Sequence, residues 1–401
     1  MLSATSGTMR IGARRIVPRA ASVAAVALRP NRDFLGRHRN LDNASVNARS
    51  LSTTRSRGYA AVTNPNPPLG KKNASNDMPS RVALIGGRGY TGQALIELID
   101  NHPHIELHHV SSRELFGTEL KGYNKRKIIY DNLSIEDCTK LDVDVVVLAL
   151  PNGVCKPYVE AISQAEKGKD KKTVIVDLSA DHRFDESWMP EKTKRSKIAQ
   201  STRISNPGCY ATGSQLAIAP IVDLIAASPT IFGVSGYSGA GTSKSLKNDV
   251  SYLTGGVLPY SLTDHIHERE ISHHTTPVSF IPHVSSWFRG IHLAINIPLN
   301  KSMNSRDIRN IYQDRYAGEK LIKIVGEAPY VKNIANKHGV EIGGFAVDKT
   351  GKRVVICATI DNLNKGASTQ ALRRCLSYPY CTRLLTTSTR KHESRAWLRR
   401  I

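Results

Sequence analysis

Cys209 is the residue whose type and setting most directly suggest chemistry in this sequence. It lies in the run Ser205–Gly213, directly after Pro207 and Gly208, and residues 210–224 are predicted to form a helix. A thiol at a helix N-terminus lies near unpaired backbone N–H groups and the positive end of the macrodipole, which favour an anion. Such a position can lower a cysteine pKa from about 8.5 to roughly 3.5–7.5. The setting predicts a reactive thiolate; a small buried apolar residue is the alternative.

Two histidines and a carboxylate follow in one polar run. His265 and His267 are two residues apart, and Glu270 stands three residues beyond His267. Zinc sites show clearer ligand spacing, so no metal is predicted. A nucleophilic thiol needs a proton partner, which favours a general acid/base with an orienting carboxylate. Purely structural histidines are the alternative.

A glycine-rich turn stands between a predicted strand and a predicted helix. Residues 81–85 are apolar and β-prone, and Gln93–Asp100 has helical character. The turn between them matches GxGxxG, whose glycines permit close approach of a pyrophosphate to the helix N-terminus. The residues of this turn that we expect to contact a dinucleotide are Gly86, Gly87, Gly89, Tyr90, Thr91 and Gly92.

The next predicted strand, Ile105–Val110, indicates which dinucleotide binds. It is followed by Ser112 and Arg113 instead of the acid that usually holds the ribose 2′-hydroxyl of NAD. A hydroxyl and a guanidinium suit a 2′-phosphate, so NADP is the predicted cofactor. A solvated surface arginine is the alternative interpretation of Arg113.

Three further polar positions could reach a ligand. Apolar runs at 143–150 and 173–178 predict more parallel strands, and Ser179 follows the second at the carboxyl edge where ligands bind. The Gly/Ser loop at 235–241 could present N–H groups to an anion or admit a nicotinamide; a flexible surface loop is the alternative. Arg289, just before a predicted strand, could clamp a phosphate or carboxylate, or simply pair on the surface.

The charge of this 401-residue chain is concentrated at its ends. The net charge is +22, but residues 1–76 hold 13 Lys/Arg and two Asp/Glu, and residues 373–401 hold eight and one. The body between them is therefore nearly balanced, and neither a nucleic-acid partner nor a membrane is predicted. The six cysteines lack CxxC spacing, which favours free thiols in a reducing compartment.

The N-terminal segment has the composition of a targeting sequence. Residues 1–59 are rich in Arg, Ser and Ala and poor in acids, which predicts a mitochondrial transit peptide. A basic tail that binds nucleic acid or lipid is the alternative. Residues 60–79 read as a Pro/Asn linker. No stretch approaches the roughly 18 apolar residues that a membrane span needs.

The motifs, taken in order, resemble those of a known enzyme family. The glycine turn, the run around Cys209, the loop at 235–241 and the run from His265 to Glu270 are similar to those of the N-acetyl-γ-glutamyl-phosphate reductases in their fungal mitochondrial form. These are NADPH enzymes of arginine biosynthesis. The resemblance extends from about Arg81 to Gln370.

The resemblance implies an α/β fold like that of semialdehyde dehydrogenases. Residues 80–208 would form a Rossmann-type, doubly wound NADP-binding domain. Residues 209–361 would form an α+β catalytic domain whose mostly antiparallel sheet makes the contact in a homo-oligomer, a dimer or tetramer. Residues 362–372 would return to the first domain, and residues 373–401 would form an atypical basic tail.

The resemblance also implies roles for individual residues. Cys209 would attack the acyl phosphate to form a thioester, with His267 as the acid/base and His265 and Glu270 supporting its orientation and protonation. Further cofactor contacts are expected from Ser112, Arg113, Ser179, Gly239, Gly241 and Asn362. Contacts to the anionic groups of the substrate are expected from Ser238, Lys244 and Arg289.

The resemblance places the enzyme in the mitochondrial matrix and leaves three matters open. Fungal members usually follow an acetylglutamate kinase in one precursor, and no kinase precedes Arg81 here, so association with that kinase is an expectation. The family continues beyond residue 370 with an apolar helix, whereas Pro379 and clustered arginines would interrupt one here. Aspartate-semialdehyde dehydrogenase and a catalytically silent homologue are the alternative functions.

Overall fold

The computed structural model describes residues 79–169, 172–188, 198 and 200–377. The predicted transit peptide, nearly all of the predicted linker and most of the basic tail lie outside the described residues. No helix within the described part of the chain is long and apolar enough to cross a bilayer.

Five parallel strands form the first sheet. They are β1 (Ser80–Ile85), β2 (Ile105–Ser111), β3 (Val145–Leu148), β4 (Val174–Asp177) and β5 (Arg203–Ser205), in the order β2-β1-β3-β4-β5. Both faces are covered, since Val82 and Leu84 of β1 lie in one apolar core while Ala83 and Ile85 lie in another. Burial on both faces explains why these strands read as continuous apolar runs.

Helices cover the two faces of this sheet. They are α1 (Tyr90–Asp100), α2 (Ile135–Cys138) and α3 (Cys155–Ala165). Helix α1 contributes Leu95 and Ile99 to the core on one face, and α3 contributes Val159 and Ile162 to the core on the other. The predicted doubly wound architecture is confirmed, with the strand order 2-1-3-4-5.

A second sheet of seven strands follows. Its strands are β6 (Thr230–Gly236), β7 (Val257–Pro259), β8 (Ser279–Ser285), β9 (Ile291–Pro298), β10 (Ile322–Ile324), β11 (Val340–Val347) and β12 (Arg353–Ile360). The order is β10-β11-β12-β9-β6-β8-β7. The β10–β11 and β6–β8 pairs are parallel and the other neighbouring pairs are antiparallel, as a mostly antiparallel sheet requires. Along β9 buried residues alternate with less buried ones, so the main core lies on one face.

Five helices accompany this half, and a sixth, α9 (Thr369–Ser377), follows it in the chain. The five are α4 (Cys209–Ile218), α5 (Val250–Leu253), α6 (Ile266–His274), α7 (Ser305–Arg315) and α8 (Val331–Ile334). The helix predicted for 210–224 is too long: α4 ends at Ile218, and Ala219–Leu224 is a 3₁₀ segment. Pro220 explains the change, because it lacks a backbone N–H and clashes with the preceding turn.

The chain then returns to the first sheet. A π-helical turn, Asn364–Ser368, follows β12 and leads into α9. Ala371, Leu372 and Cys375 of α9 pack in the core formed by β1 and α1. The π turn packs against α1, which follows the glycine turn, and against α4, which begins at Cys209. It therefore connects the two halves of the protein.

Candidate active site

The site is built around the start of α4. Cys209 is its first residue, and Gly208 precedes it in an extended conformation. Asn206, just before, donates its backbone N–H to the carbonyl of Asp177 at 2.7 Å. The thiol therefore lies at the carboxyl edge of the parallel sheet, where ligands bind in open α/β folds.

The expected lowering of the Cys209 pKa is wrong for the free protein. Burial raises the pKa of the Cys209 thiol to about 11, although the backbone N–H of Tyr210 and the charge of Arg183 act in the opposite direction. Loss of water around the sulfur outweighs the helix N-terminus, because a thiolate is penalised more than a thiol in an enclosed site. Cys209 is therefore a neutral thiol in the free protein.

His267 packs against the backbone that precedes the thiol. A Cβ atom at position 208 would lie 2.2 Å from Nε2 of His267, so only glycine allows this contact. Burial holds the pKa of His267 well below its usual value, and Arg183 and His265 lower it further. Its Nδ1 is buried without a hydrogen-bond partner among the described residues. The imidazole therefore lies against the backbone directly before Cys209 and is uncharged in the free protein.

His265 supports His267 through the backbone. It caps α6, and its Nδ1 accepts the backbone N–H of His267 at 3.1 Å. The two rings are 4.9 Å apart, centroid to centroid. Burial, then the charge of Lys247, lowers the pKa of His265 to about 4, so this residue remains a neutral acceptor.

Glu270 does not orient the His267 ring as expected. Its Oε1 accepts the backbone N–H of Gly208 at 3.0 Å, and its Oε2 forms an ion pair with Nη1 of Arg183 at 3.1 Å. Both side chains are buried. A buried carboxylate needs a counter-charge more than it needs a neutral ring, which explains the change of partner.

Arg183 is the site residue that sequence reasoning missed. Besides Glu270, its guanidinium donates to the carbonyls of Asn206 and Leu178, each at 3.0 Å. The preceding residue, His182, is fixed by Asp177 at 2.7 Å. The available signal was a charged residue soon after β4, at the same edge as Cys209.

The glycine turn fits a pyrophosphate. Gly86 has a φ of +95°, and a Cβ at Gly92 would lie 2.5 Å from the carbonyl oxygen of Gly86, so both positions need glycine. At Gly89 a Cβ would meet only one atom within 4 Å, at 3.8 Å, which leaves open space above the turn. Helix α1 begins after Gly89 without a side-chain cap, so its first N–H groups can bind an anion.

Four more residues expected at the cofactor lie at the start of α1 and after β2. Tyr90 and Thr91 begin α1, and the Tyr90 ring lies 5.1 Å from that of Phe288, so the turn contacts the second half. Arg113 is exposed beyond β2, while the Ser112 hydroxyl accepts the N–H of Leu115 at 3.3 Å.

Two expected cofactor residues already have internal partners. The Ser179 hydroxyl donates to Asp177 at 3.0 Å and thus belongs to the Asp177–His182 network. The Asn362 amide donates to Ser238 Oγ at 2.9 Å and accepts the N–H of Gly290 at 2.8 Å. Asn362 therefore holds the 3₁₀ turn Tyr237–Ala240 beside the site.

The remaining loop glycines differ in their surroundings. A Cβ at Gly239 would lie 3.0 Å from Ser235 Oγ, whereas Gly241 has open space and a φ of +78°. Only the conformation of Gly241 therefore demands glycine.

Arg289 has a partner that its expected role did not include. Its Nε lies 2.7 Å from Asp361, and its Nη1 donates to Asn336 at 2.8 Å. Asp361 is fully buried and also accepts the backbone N–H of Asn336 at 2.6 Å. Arg289 neutralises this carboxylate, and its contact with a substrate anion stays a prediction. Lys244 lies exposed on the loop after Gly241.

Comparison with known proteins defines the class. Family models for the semialdehyde dehydrogenase NAD-binding domain and dimerisation domain match residues 81–211 and 209–362. The crystal structure of aspartate semialdehyde dehydrogenase II from Vibrio cholerae shares the fold, with a TM-score of 0.62 and 16% identity over 75% of this chain and 98% of that one. A probable aspartate-semialdehyde dehydrogenase from Pseudomonas aeruginosa gives the same TM-score at 18% identity, covering 76% of this chain and all of that one. The fold is that of the semialdehyde dehydrogenases.

Sequence relatives narrow the class. N-acetyl-gamma-glutamyl-phosphate reductase of Xanthomonas euvesicatoria is 48% identical over 73% of this chain and 93% of its own length. Protein arg-6, mitochondrial, of Neurospora crassa is 64% identical over 80% of this chain and 38% of its own length. The chain belongs to the N-acetyl-γ-glutamyl-phosphate reductase family. It spans just over a third of the length of the fungal relatives that it matches.

The expectations for oligomeric state and for cellular location are confirmed in part. The match to a dimerisation domain indicates a homo-oligomer. The fungal relatives are named mitochondrial, which indicates a mitochondrial location.

Proposed function

We propose that this protein reduces N-acetyl-γ-glutamyl phosphate to N-acetylglutamate semialdehyde with NADPH, through a thioester on Cys209. The observation that carries the proposal is the contact of the His267 ring with Gly208, directly before a thiol at a helix N-terminus. A small-molecule acyl phosphate suits this site, because a thiol with a nearby base can displace phosphate without a metal. The identity of the proposed substrate is taken from the name of the reductase relatives.

The first half of the reaction is acyl transfer. The Cys209 sulfur attacks the acyl carbon while His267 accepts the thiol proton. The carbon–oxygen bond to phosphate breaks, and the departing phosphate takes a proton from solvent to leave as hydrogen phosphate. Burial lowers the pKa of His267 in the resting site, so the imidazole is unprotonated and has a free site for the proton. The first N–H groups of α4 favour the negative charge that develops on the acyl oxygen.

The second half is reduction of the thioester. NADPH, when bound, supplies the hydride. His267 returns the proton to the oxygen of the resulting hemithioacetal, and collapse of this adduct releases the semialdehyde and the Cys209 thiol. A thioester accepts hydride better than a carboxylate does, so the covalent step replaces one difficult reaction by two easier ones.

Arg183 and Glu270 prepare the site for these steps. Glu270 holds the N–H of Gly208, and Arg183 holds the carbonyl of Asn206, so the backbone before Cys209 is fixed on both sides. The Arg183 charge also disfavours a protonated His267 in the resting protein. We therefore assign both as positioning residues.

The cofactor assignment to NADP rests on residues at two places. The N–H groups at the start of α1 would hold the pyrophosphate, and Ser112 and Arg113 after β2 would hold the 2′-phosphate. Gly239, Gly241 and Asn362 would line the nicotinamide end, with Asn362 acting through Ser238.

Location and partners complete the proposal. We place the enzyme in the mitochondrial matrix. An acetylglutamate kinase is the proposed partner, because an acyl phosphate hydrolyses readily and gains from direct transfer. Co-purification of the two proteins from mitochondria would support this association.

The test is the reaction run backwards. Purified protein is mixed with N-acetylglutamate semialdehyde, NADP⁺ and phosphate or arsenate, and NADPH formation is followed. We expect turnover that needs the anion, far exceeds that with aspartate semialdehyde, and is lost in Cys209→Ala. Preference for aspartate semialdehyde would support the alternative dehydrogenase, and a folded protein without turnover would support the silent homologue.

A further inference from the structure

A lysine outside the expected substrate contacts faces the catalytic histidines. Nζ of Lys247 lies 5.0 Å from the ring centroid of Tyr260. The Tyr260 ring lies 5.6 Å from that of His265, which is the N-cap neighbour of His267. One tyrosine and one histidine thus connect an exposed ammonium group to the acid/base.

The loop that presents Lys247 is fixed from within. The Asn248 amide donates to the carbonyls of Gly241 and Ser243 at 2.9 and 2.7 Å, and its oxygen accepts the N–H of Ser245 at 2.9 Å. These bonds close residues 241–248 into a compact turn that ends in a 3₁₀ segment, Leu246–Asn248. Because the loop is already ordered, binding of an anion by the Lys247 ammonium would cost little backbone entropy.

The other cations near the site differ from Lys247. Arg183 is paired with buried Glu270, and Arg289 is paired with buried Asp361. Lys247 is exposed, and its Nζ lies over the Tyr260 ring, which in turn packs against His265. Lys244 lies in the same loop, three residues earlier, and is also exposed.

The substrate of the proposed reaction carries two anions at different distances from the reacting carbon. The phosphate is bonded to the carbon that Cys209 attacks, so it must lie beside the thiol. The α-carboxylate is separated from that carbon by two methylenes and the α-carbon. The Lys247 ammonium is separated from His267 by Tyr260 and His265, so its position matches the α-carboxylate, which is the anion farther from the reacting carbon.

We propose that Lys247 binds the α-carboxylate of the substrate and thereby selects an N-acylated amino-acid semialdehyde with a free carboxylate. The contact is a charge-assisted hydrogen bond between the ammonium and a carboxylate oxygen. Tyr260 supports it by holding the ammonium group over its ring. The inference rests on the proposed function.

The experiment compares Lys247→Met with Lys301→Met, a change at an exposed lysine in the segment after β9, in the reverse reaction. Lys247→Met keeps the apolar stem and removes the charge, so KM for N-acetylglutamate semialdehyde should rise about 10- to 100-fold. KM for phosphate and for NADP⁺ should not change, and Lys247→Arg should restore most of the affinity. Lys301→Met should leave all three values near those of the wild type.

The α-methyl ester of the semialdehyde makes the test specific. The wild type should bind the ester about 10- to 100-fold more weakly than the free acid, and Lys247→Met should no longer distinguish them. If Lys247→Met still discriminates like the wild type, or if its phosphate KM rises instead, the inference is overturned. A wild type without activity on the free acid would overturn the proposed function and this inference together. Unchanged melting of the variants with NADPH serves as the folding control.

Discussion

Gly366 packs directly on Cys209. A Cβ atom at position 366 would lie 2.7 Å from the Cβ and 3.2 Å from the Cα of Cys209. Gly366 lies in the π turn, where its N–H donates to the carbonyl of Asp361 at 2.9 Å. The segment that returns the chain to the first sheet therefore also fixes the position of the nucleophile, and π-helical turns are frequent at functional sites.

Gly366→Ala should impair catalysis more than folding. The added methyl group forces Cys209 or the turn to move by a fraction of an ångström or more, and a misplacement of about 1 Å can cost roughly 10²-fold in rate. We expect kcat to fall by about that factor while the affinity for NADPH, measured by fluorescence, changes little. Gly256→Ala is the matched control, because a Cβ there meets nothing within 4 Å. Equal kcat values for the two variants would contradict the positioning role.

The reactivity of Cys209 should increase steadily with pH in the free enzyme. Burial raises the pKa of this thiol to about 11, and the pKa of His267 is depressed, so the pair is uncharged at neutrality. The thiolate fraction then grows about tenfold per pH unit below the pKa. Alkylation by iodoacetamide, located by mass spectrometry, should rise from pH 7 to pH 10. A rate that is already maximal at pH 7 would instead indicate a preformed thiolate–imidazolium pair.

The buried pair of Arg183 and Glu270 should be expensive to break. Glu270→Ala leaves the Arg183 charge enclosed and frees the N–H of Gly208, so the free energy of unfolding should fall by about 3–5 kcal/mol. Glu119→Ala, which removes the exposed partner of Lys127, should cost at most about 1 kcal/mol. Chemical denaturation measures both. A similar small effect for the two variants would show that the buried pair is not essential to the fold.

Arg113 should decide between the two dinucleotides. Arg113→Ala removes the proposed partner of the 2′-phosphate, so Kd for NADPH should rise about 10- to 100-fold while Kd for NADH stays the same. The control is Arg306→Ala, which removes an exposed arginine on α7 and should change neither Kd. Calorimetric titration gives both constants. Equal weakening of NADPH and NADH would assign Arg113 to a part that the two cofactors share.

The residues that could be predicted share a local signature. A strand, a glycine turn and a helix are adjacent in sequence, so the position of Gly89 at the start of α1 follows from local geometry. The helix start at Cys209 was also visible, because Pro207 and Gly208 precede it. The order of the motifs then indicated the family, and the family resemblance predicted the second, mostly antiparallel sheet.

The residues that could not be predicted depend on contacts between distant segments. Arg183 meets Glu270, 87 positions away, and Gly366 meets Cys209 from the far end of the chain. The raised pKa of Cys209 has the same origin, since the enclosure of the thiol exists only after folding. The ion pair of Arg289 was also not predictable, because the sequence does not show that Asp361 is buried beside it.

The most direct test is a single turnover without phosphate. Enzyme is mixed with N-acetylglutamate semialdehyde and NADP⁺, NADPH is measured on the millisecond scale, and the protein is then digested for mass spectrometry. The account predicts a burst of one NADPH per subunit, an N-acetylglutamyl group on the peptide that contains Cys209, and neither result in Cys209→Ser. An acyl group on another residue, or normal turnover of Cys209→Ser, would contradict it.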